Sequence, residues 1–243
     1  MWSIFVKEIA GFFSSLIGYV VVVLFLLFLG LGLFVWPNSS ILDNNYATLN
    51  EFFQTVPTVF AFLIPAITMR SLAEENQSGT IELLATRPIR DGEIVLGKFL
   101  AALALTCIAL LPTLLYYFTV YQLGDPKGNL DAGAVAGSYI GLLLLAAAFT
   151  AVGLLASALN NNQIVAFLMA VLLCGLLFWG FDLISSLPVF AGRGDDVVQQ
   201  IGMSAHYASI SQGVIDSRDV VYFSSIILLF LAFTAAAVNS RKW

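Results

Sequence analysis

Long uncharged stretches alternate along this chain with short polar segments. The 34 residues between Glu8 and Asp43 carry no Asp, Glu, Lys or Arg. Phe52–Met69 adds 18 such residues, Phe99–Gly124 adds 26 and Val220–Ser240 adds 21. Each run is close to the ~20 residues needed to cross a hydrocarbon core as a helix. A charge at the bilayer centre costs about 2.5–3.5 kcal/mol, so the charge-free gaps count the spans. The gap Ala132–Phe181 holds 50 residues, too many for one helix, and the polar knot Asn160-Asn161-Asn162-Gln163 divides it. The pattern therefore predicts six spans, at about 15–36, 53–71, 97–121, 134–159, 164–184 and 220–239.

The first residues have a different period. Trp2, Phe5, Ile9 and Phe12 recur at helical spacing, with Lys7 and Glu8 on the other side. That pattern predicts an interfacial helix lying flat on the membrane before the first span. Ser15–Val35 is longer than a secretory apolar core, no A-x-A site follows it, and it ends at Trp36-Pro37. It is expected to be a retained span rather than a signal peptide.

Composition agrees. Of 243 residues, 60% are hydrophobic and 10% charged, against roughly 25% charged in soluble domains. The expected fold class is an all-α integral membrane bundle, residues 1–243 forming one membrane domain. Seven of the ten basic residues (Lys7, Arg70, Arg87, Arg90, Lys98, Arg241, Lys242) fall on the side that holds the N-terminus. The positive-inside bias predicts that this side is cytoplasmic, with both termini on it. The net charge of -5 comes with no basic stripe, so no nucleic-acid partner is expected. Cys107 and Cys174 both lie in apolar runs and read as small hydrophobes, not as a metal or disulfide framework.

One segment on the cytoplasmic side is long enough to present a surface. Arg70–Lys98 reads as helix, break, short helix, break, helix. Gly79 loosens the chain, Thr80–Thr86 makes a turn or two of amphipathic helix, and Pro88 stops it. Asp91 and Glu93 suit the start of the next helix. The short helix is either a docking element held on extensions of spans two and three or a solvated connection.

The stretch Pro65-Ala-Ile-Thr-Met69-Arg70, Glu74-Glu75, Ser78-Gly79-Thr80-Ile81-Glu82-Leu83-Leu84, Arg87-Pro88 and Glu93-Ile94-Val95-Leu96-Gly97-Lys98 resembles the hallmark of type-2 ABC exporter permeases. The runs Gly213–Phe223 and Ser240–Trp243 are similar to the same family, and all these features together most resemble its gliding-motility-associated (GldF-type) permeases. The resemblance implies a coupling helix between spans two and three that sits in a cleft of a separate ABC ATPase. It places that contact on Ser78, Gly79, Thr80, Ile81, Glu82, Leu83, Leu84, Arg87 and Pro88, with Glu74, Glu75 and Glu82 as polar partners at the cytoplasmic gate. It also implies a second copy or a related permease beside this chain. ATP and magnesium would be bound by the partner, with no cofactor on this chain.

Gly92-Glu-Ile-Val-Leu-Gly97-Lys98-Phe99 comes close to a phosphate-binding loop but has Phe99 where the magnesium-binding hydroxyl belongs. The chain is therefore expected to hydrolyse no ATP and not to be an enzyme. Gly133, Gly137 and Gly141 repeat every four residues and permit close helix packing, either between two permeases or within one. His206 is the sole histidine and sits in the outer loop. Pro57, Pro65 and Pro112 can kink spans two and three. No ionisable residue falls at a span centre, which disfavours ion-coupled carriage. Two readings remain: a permease subunit driven by a partner ATPase for export, or a non-transporting scaffold through which such an ATPase does mechanical or assembly work in the envelope.

Overall fold

The computed structural model describes residues 1–36, 40–41, 48–79, 91–187 and 195–240. Among the described residues every regular element is helical and none is a strand. Hydrocarbon offers no partner for a backbone N–H or C=O, so each spanning segment must bond within itself, as a helix does.

Helix α1 (Trp2–Ser14) leads at a 73° bend into α2, Leu16–Phe34. The long α3 (Asn50–Gln77) follows, then α4 (Asp91–Leu110), which passes through a 3-10 turn at Leu111–Thr113 into α5, Leu114–Leu123. Helix α6 is Ala132–Leu159 and α7 is Gln163–Gly175. A π-helical turn, Leu176–Gly180, continues α7 into the short α8, Phe181–Ser185. Two short helices, α9 (Asp195–Gln199) and α10 (Met203–Ile210), precede α11, Ser217–Ser240.

Five of these units are long and apolar enough to cross a membrane alone: α3, α4–α5, α6, α7–α8 and α11. The sixth candidate is the bent pair α1 and α2. The bend is the geometry expected of an amphipathic lead-in followed by a span. Span two runs to Gln77 rather than 71, and span three begins at Asp91 rather than 97. Both arms of the connection between them therefore extend past their apolar runs. Residues 80–90, which carry the expected short helix, lie outside the described residues.

Local chemistry accounts for the turns. Asp131 Oδ1 accepts from the Gly133 and Ala134 amides at 2.9 and 3.1 Å and starts α6. Asn162 Oδ1 accepts from the Ile164 amide at 2.8 Å and starts α7, so the polar knot does turn the chain. The prolines act unequally. Helix α3 runs through Pro57 and Pro65 without a break, whereas at Pro112 the α-helix tightens to 3-10. The π turn in span five had no counterpart in the sequence reading.

Helix α6 is the axis of the bundle and packs against α3, α4, α7, α10 and α11. In its most apolar window 78% of residues are buried, against 17% in α11. Apolar side chains left outward on α7 and α11, such as Leu168, Leu172, Leu228 and Phe233, are exposed here. Lipid tails solvate such faces at no hydrophobic cost. Val95 and Phe99 of α4 pack with Leu72 of α3, Ala158 of α6 and Val238 of α11. The end of α11 thus lies at the same end of the bundle as the α3–α4 connection, called the loop end below, and so does the start of the chain, where Met1 and Ile4 lie against Gly97 of α4.

Candidate functional site at the loop end

Lys98 sits about two turns into α4, next to Gly97. A Cβ on Gly97 would lie 3.2 Å from the Met1 carbonyl oxygen and 3.3 Å from Ile4, so the missing side chain lets α1 press directly on α4. That approach carries Glu8 of α1 to Lys98. The Lys98 ammonium lies 2.6 Å from Glu8 Oε1, 2.6 Å from the Ser71 carbonyl oxygen and 3.0 Å from Glu75 Oε2. An ammonium has three donors, and three oxygens surround this one. Its side chain is 1% exposed. A charge so buried is tolerable only when paired and hydrogen-bonded. One side chain therefore ties α1, the end of α3 and the start of α4 together, and the last two are the arms of the candidate coupling loop.

Glu75 also accepts from Lys7 Nζ at 3.3 Å, and that lysine is 68% exposed. Glu74 faces outward and pairs with Arg70 one turn back at 3.2 Å, while Arg70 Nη1 reaches Ser15 Oγ at 3.4 Å. A cavity of about 350 Å³ opens among these groups, floored by Ile67, Ala102 and Leu105. Ser78 Oγ donates to the Glu74 carbonyl oxygen at 2.8 Å, and Gly79 takes φ +68. That left-handed conformation suits glycine and ends α3. Among the sequence-predicted site residues, Glu74, Glu75, Ser78 and Gly79 are thus gathered at the end of α3. Thr80, Ile81, Glu82, Leu83, Leu84, Arg87 and Pro88 lie outside the described residues.

Two features escaped the sequence reading. The Lys98–Glu8 pair spans 90 residues, and only the isolation of Lys98 beside an apolar run hinted that its charge needed a partner. The second lies at the opposite, far end. His206 Nδ1 is 2.7 Å from Asp219 Oδ1 and its Nε2 is 2.9 Å from the Gln200 carbonyl oxygen, while Tyr222 stacks on the ring at 3.9 Å. Ser209 Oγ donates to Asp219 Oδ2 at 2.6 Å. A carbonyl only accepts, so Nε2 carries hydrogen. The serine bonds the carboxylate, not the imidazole, so the arrangement fastens α10 to α11 rather than activating a hydroxyl. Close by, the Tyr207 hydroxyl donates to the Phe53 carbonyl oxygen at 2.7 Å, and burial pushes this phenol well above its ordinary pKa. Asp216, just before α11, accepts from the Arg218 amide at 2.9 Å, which holds its carboxyl below the usual range, with the Arg218 charge adding to the effect.

The near-match to a phosphate loop is resolved by the same geometry. Gly92–Phe99 is the first turns of α4, and the Lys98 ammonium is spent on protein oxygens.

A family model described as ABC-2 family transporter protein matches residues 2–234. The chain belongs to the ABC-2 transporter family. No curated protein matches it. Membership makes it a multi-pass membrane protein and the permease component of an ABC transporter. ABC-2 permeases are membrane components, not enzymes, and the family implies an ABC ATPase as partner. The all-helical bundle with its bent lead-in and five further apolar units fits an ABC-2 permease.

Proposed function

We propose that this permease is driven by a separate ABC ATPase that docks on the connection between α3 and α4 and that binds the ATP and magnesium. The loop end is then cytoplasmic, both termini lie in the cytoplasm, and the membrane is the bacterial inner membrane. The observation that supports this most directly is the buried Lys98, which holds both arms of the connection and α1 as one body. A loop whose arms are fixed this way transmits a push; one with free arms absorbs it. Ser78, Gly79, Thr80, Ile81, Glu82, Leu83, Leu84, Arg87 and Pro88 form the ATPase contact, with Glu74 and Glu75 supporting it from the end of α3. Two copies, or this chain with a related permease, form the export path. The resemblance of the loop and C-terminal runs together to gliding-motility-associated permeases supports a role in gliding motility.

The test is purification of the tagged chain from its native membrane, with and without the double change Glu82→Lys and Leu83→Asp. An ABC ATPase should co-purify with the unaltered chain and be lost with the altered loop. Recovery of a folded, inserted permease with no ATPase in either case would remove the docking assignment.

A further inference from the structure

Helix α6 has 28 residues, about 42 Å at 1.5 Å per residue, enough to run from one end of the bundle to the other. Its two ends are fastened to other elements by contacts aimed at backbone. At the loop end Ser157 Oγ donates to the Met69 carbonyl oxygen and accepts from the Leu72 and Ala73 amides, all at 3.0 Å. A hydroxyl has one hydrogen and two lone pairs, and here all three are spent on one turn of α3. One turn earlier a Cβ on Gly153 would stand 2.2 Å from Thr68 Oγ1 and 3.1 Å from Thr68 Cβ, so any larger residue would have to displace the threonine side chain. Near the end of both helices Asn76 Nδ2 donates to the Ala158 and Asn160 carbonyl oxygens at 3.2 Å. Successive turns of α3 therefore engage successive turns of α6, and a backbone partner cannot step aside by changing rotamer.

The far end repeats the arrangement against α10. Ser138 Oγ reaches the Ser211 carbonyl oxygen at 2.9 Å as well as the Ala134 carbonyl oxygen of its own helix. A Cβ on Gly137 would lie 2.6 Å from the Gly213 carbonyl oxygen, and one on Gly141 would lie 2.4 Å from Ile210 Cγ2. Two members of the glycine stripe are thus filled by the chain itself. Between its two grips α6 contains no proline and is an unbroken, mostly buried helix, whereas α3 carries two prolines.

We infer that α6 is the rod that carries a displacement of the α3–α4 connection to the far-end cap α10, with Ser157 as the positioning residue that makes α6 follow α3. The inference rests on the coupling role proposed above for that connection. Contiguous contact between rigid elements is the physical means of such coupling.

The experiment uses the full permease with its ATPase in lipid nanodiscs, Cys107 and Cys174 replaced by alanine, and spin labels at Leu123 and Val214. Both labelled positions are exposed, one ending α5 and the other following α10. Trapping the ATPase with a non-hydrolysable ATP analogue should shift the distance between the labels. Ser157→Ala should abolish the shift while the ATPase still co-purifies and the permease keeps its melting temperature within a few degrees. Ser138→Ala, at the other grip and away from the docking loop, should abolish it too. A shift as large in both variants as in the unaltered chain overturns the rod, with the docking assignment intact. No shift in the unaltered complex overturns it equally. Failure of any ATPase to bind the unaltered chain removes the docking assignment and the rod with it, a result that pull-down alone distinguishes from the others.

Discussion

The bundle is tied at each end by a knot of ionisable side chains, and the two knots are built differently. At the loop end Lys98 joins residues 90 and 27 positions away along the chain, from two other helices. At the far end His206 and Asp219 are 13 positions apart and fasten neighbouring elements. The loop-end ammonium is 1% exposed, whereas the far-end imidazole is 19% exposed. A knot between distant segments closes a long loop of chain and positions whole helices. A knot between adjacent segments mainly orients a cap. The loop-end knot should therefore matter more to stability, and only it should affect both arms of the docking connection.

Breaking the loop-end knot gives the largest expected effect. Lys98→Met leaves Glu75 and Glu8 without their buried cation, and removing one partner of a buried pair costs roughly 3–5 kcal/mol. Thermal unfolding in detergent should show it directly. Adding Glu8→Gln and Glu75→Gln to Lys98→Met should recover a good part of the loss, because the uncompensated carboxylates go with it. If the single change melts like the unaltered protein, the ammonium is not what holds α1 and the two arms together.

Next comes Gly213→Ala, beside the far-end knot. Gly213 has φ +85, and an added Cβ would fall 2.3 Å from Ala134 Cα, a backbone atom that cannot rotate away. Left-handed strain of about 1–2 kcal/mol adds to overpacking of about 1–3 kcal/mol. The damage should stay local to α10 and the first turns of α6. Hydrogen exchange should rise there and remain unchanged around Lys98. An equal rise at both ends would mean that the two knots are not separate units.

Why the first knot was hidden and the spans were not follows from what each depends on. A span is set by the transfer of its own residues into hydrocarbon, so the charge-free gaps and Asn160–Asn162 were enough to count six candidates and place the turn. The Lys98–Glu8 pair depends on where α1 lands against α4, a contact between residues 90 positions apart that no local pattern encodes. Ser157 was likewise silent, since a serine in an apolar run more often bonds its own preceding turn, as Thr106 and Thr150 do here. Glu75 was a candidate through the resemblance alone, and its partners Lys7 and Lys98 were not foreseen. His206 stood out only as the sole histidine of the outer loop, because Asp219 lies beyond a turn whose geometry brings it back.

The third change weakens the far-end knot. Asp219→Asn keeps the shape but removes the charge that faces His206 and Ser209. A hydrogen bond to a charged group contributes about 1.5–3 kcal/mol, and the amide should retain part of that. The expected loss in the melting assay is about 1–2 kcal/mol, smaller than for Lys98. Docking of an ATPase on the loop should be unaffected. A loss of docking with this change would show that the far-end knot acts on both arms of the connection after all.

The smallest effect comes from Lys7, and it sharpens the contrast because Lys7 and Lys98 share Glu75 as a partner. The two lysines place the same kind of charge on one carboxylate, at 3.3 and 3.0 Å, and differ mainly in burial, at 68% and 1% side-chain exposure. Water and salt screen the first and not the second. An exposed pair contributes about 0–1 kcal/mol, so Lys7→Ala should lower stability by no more than that, and raising the salt concentration should erase the difference. The loss from Lys98→Met should persist in the same salt series. If both losses vanish together with salt, burial is not what separates the two lysines, and the loop-end knot is an exposed ion pair like any other.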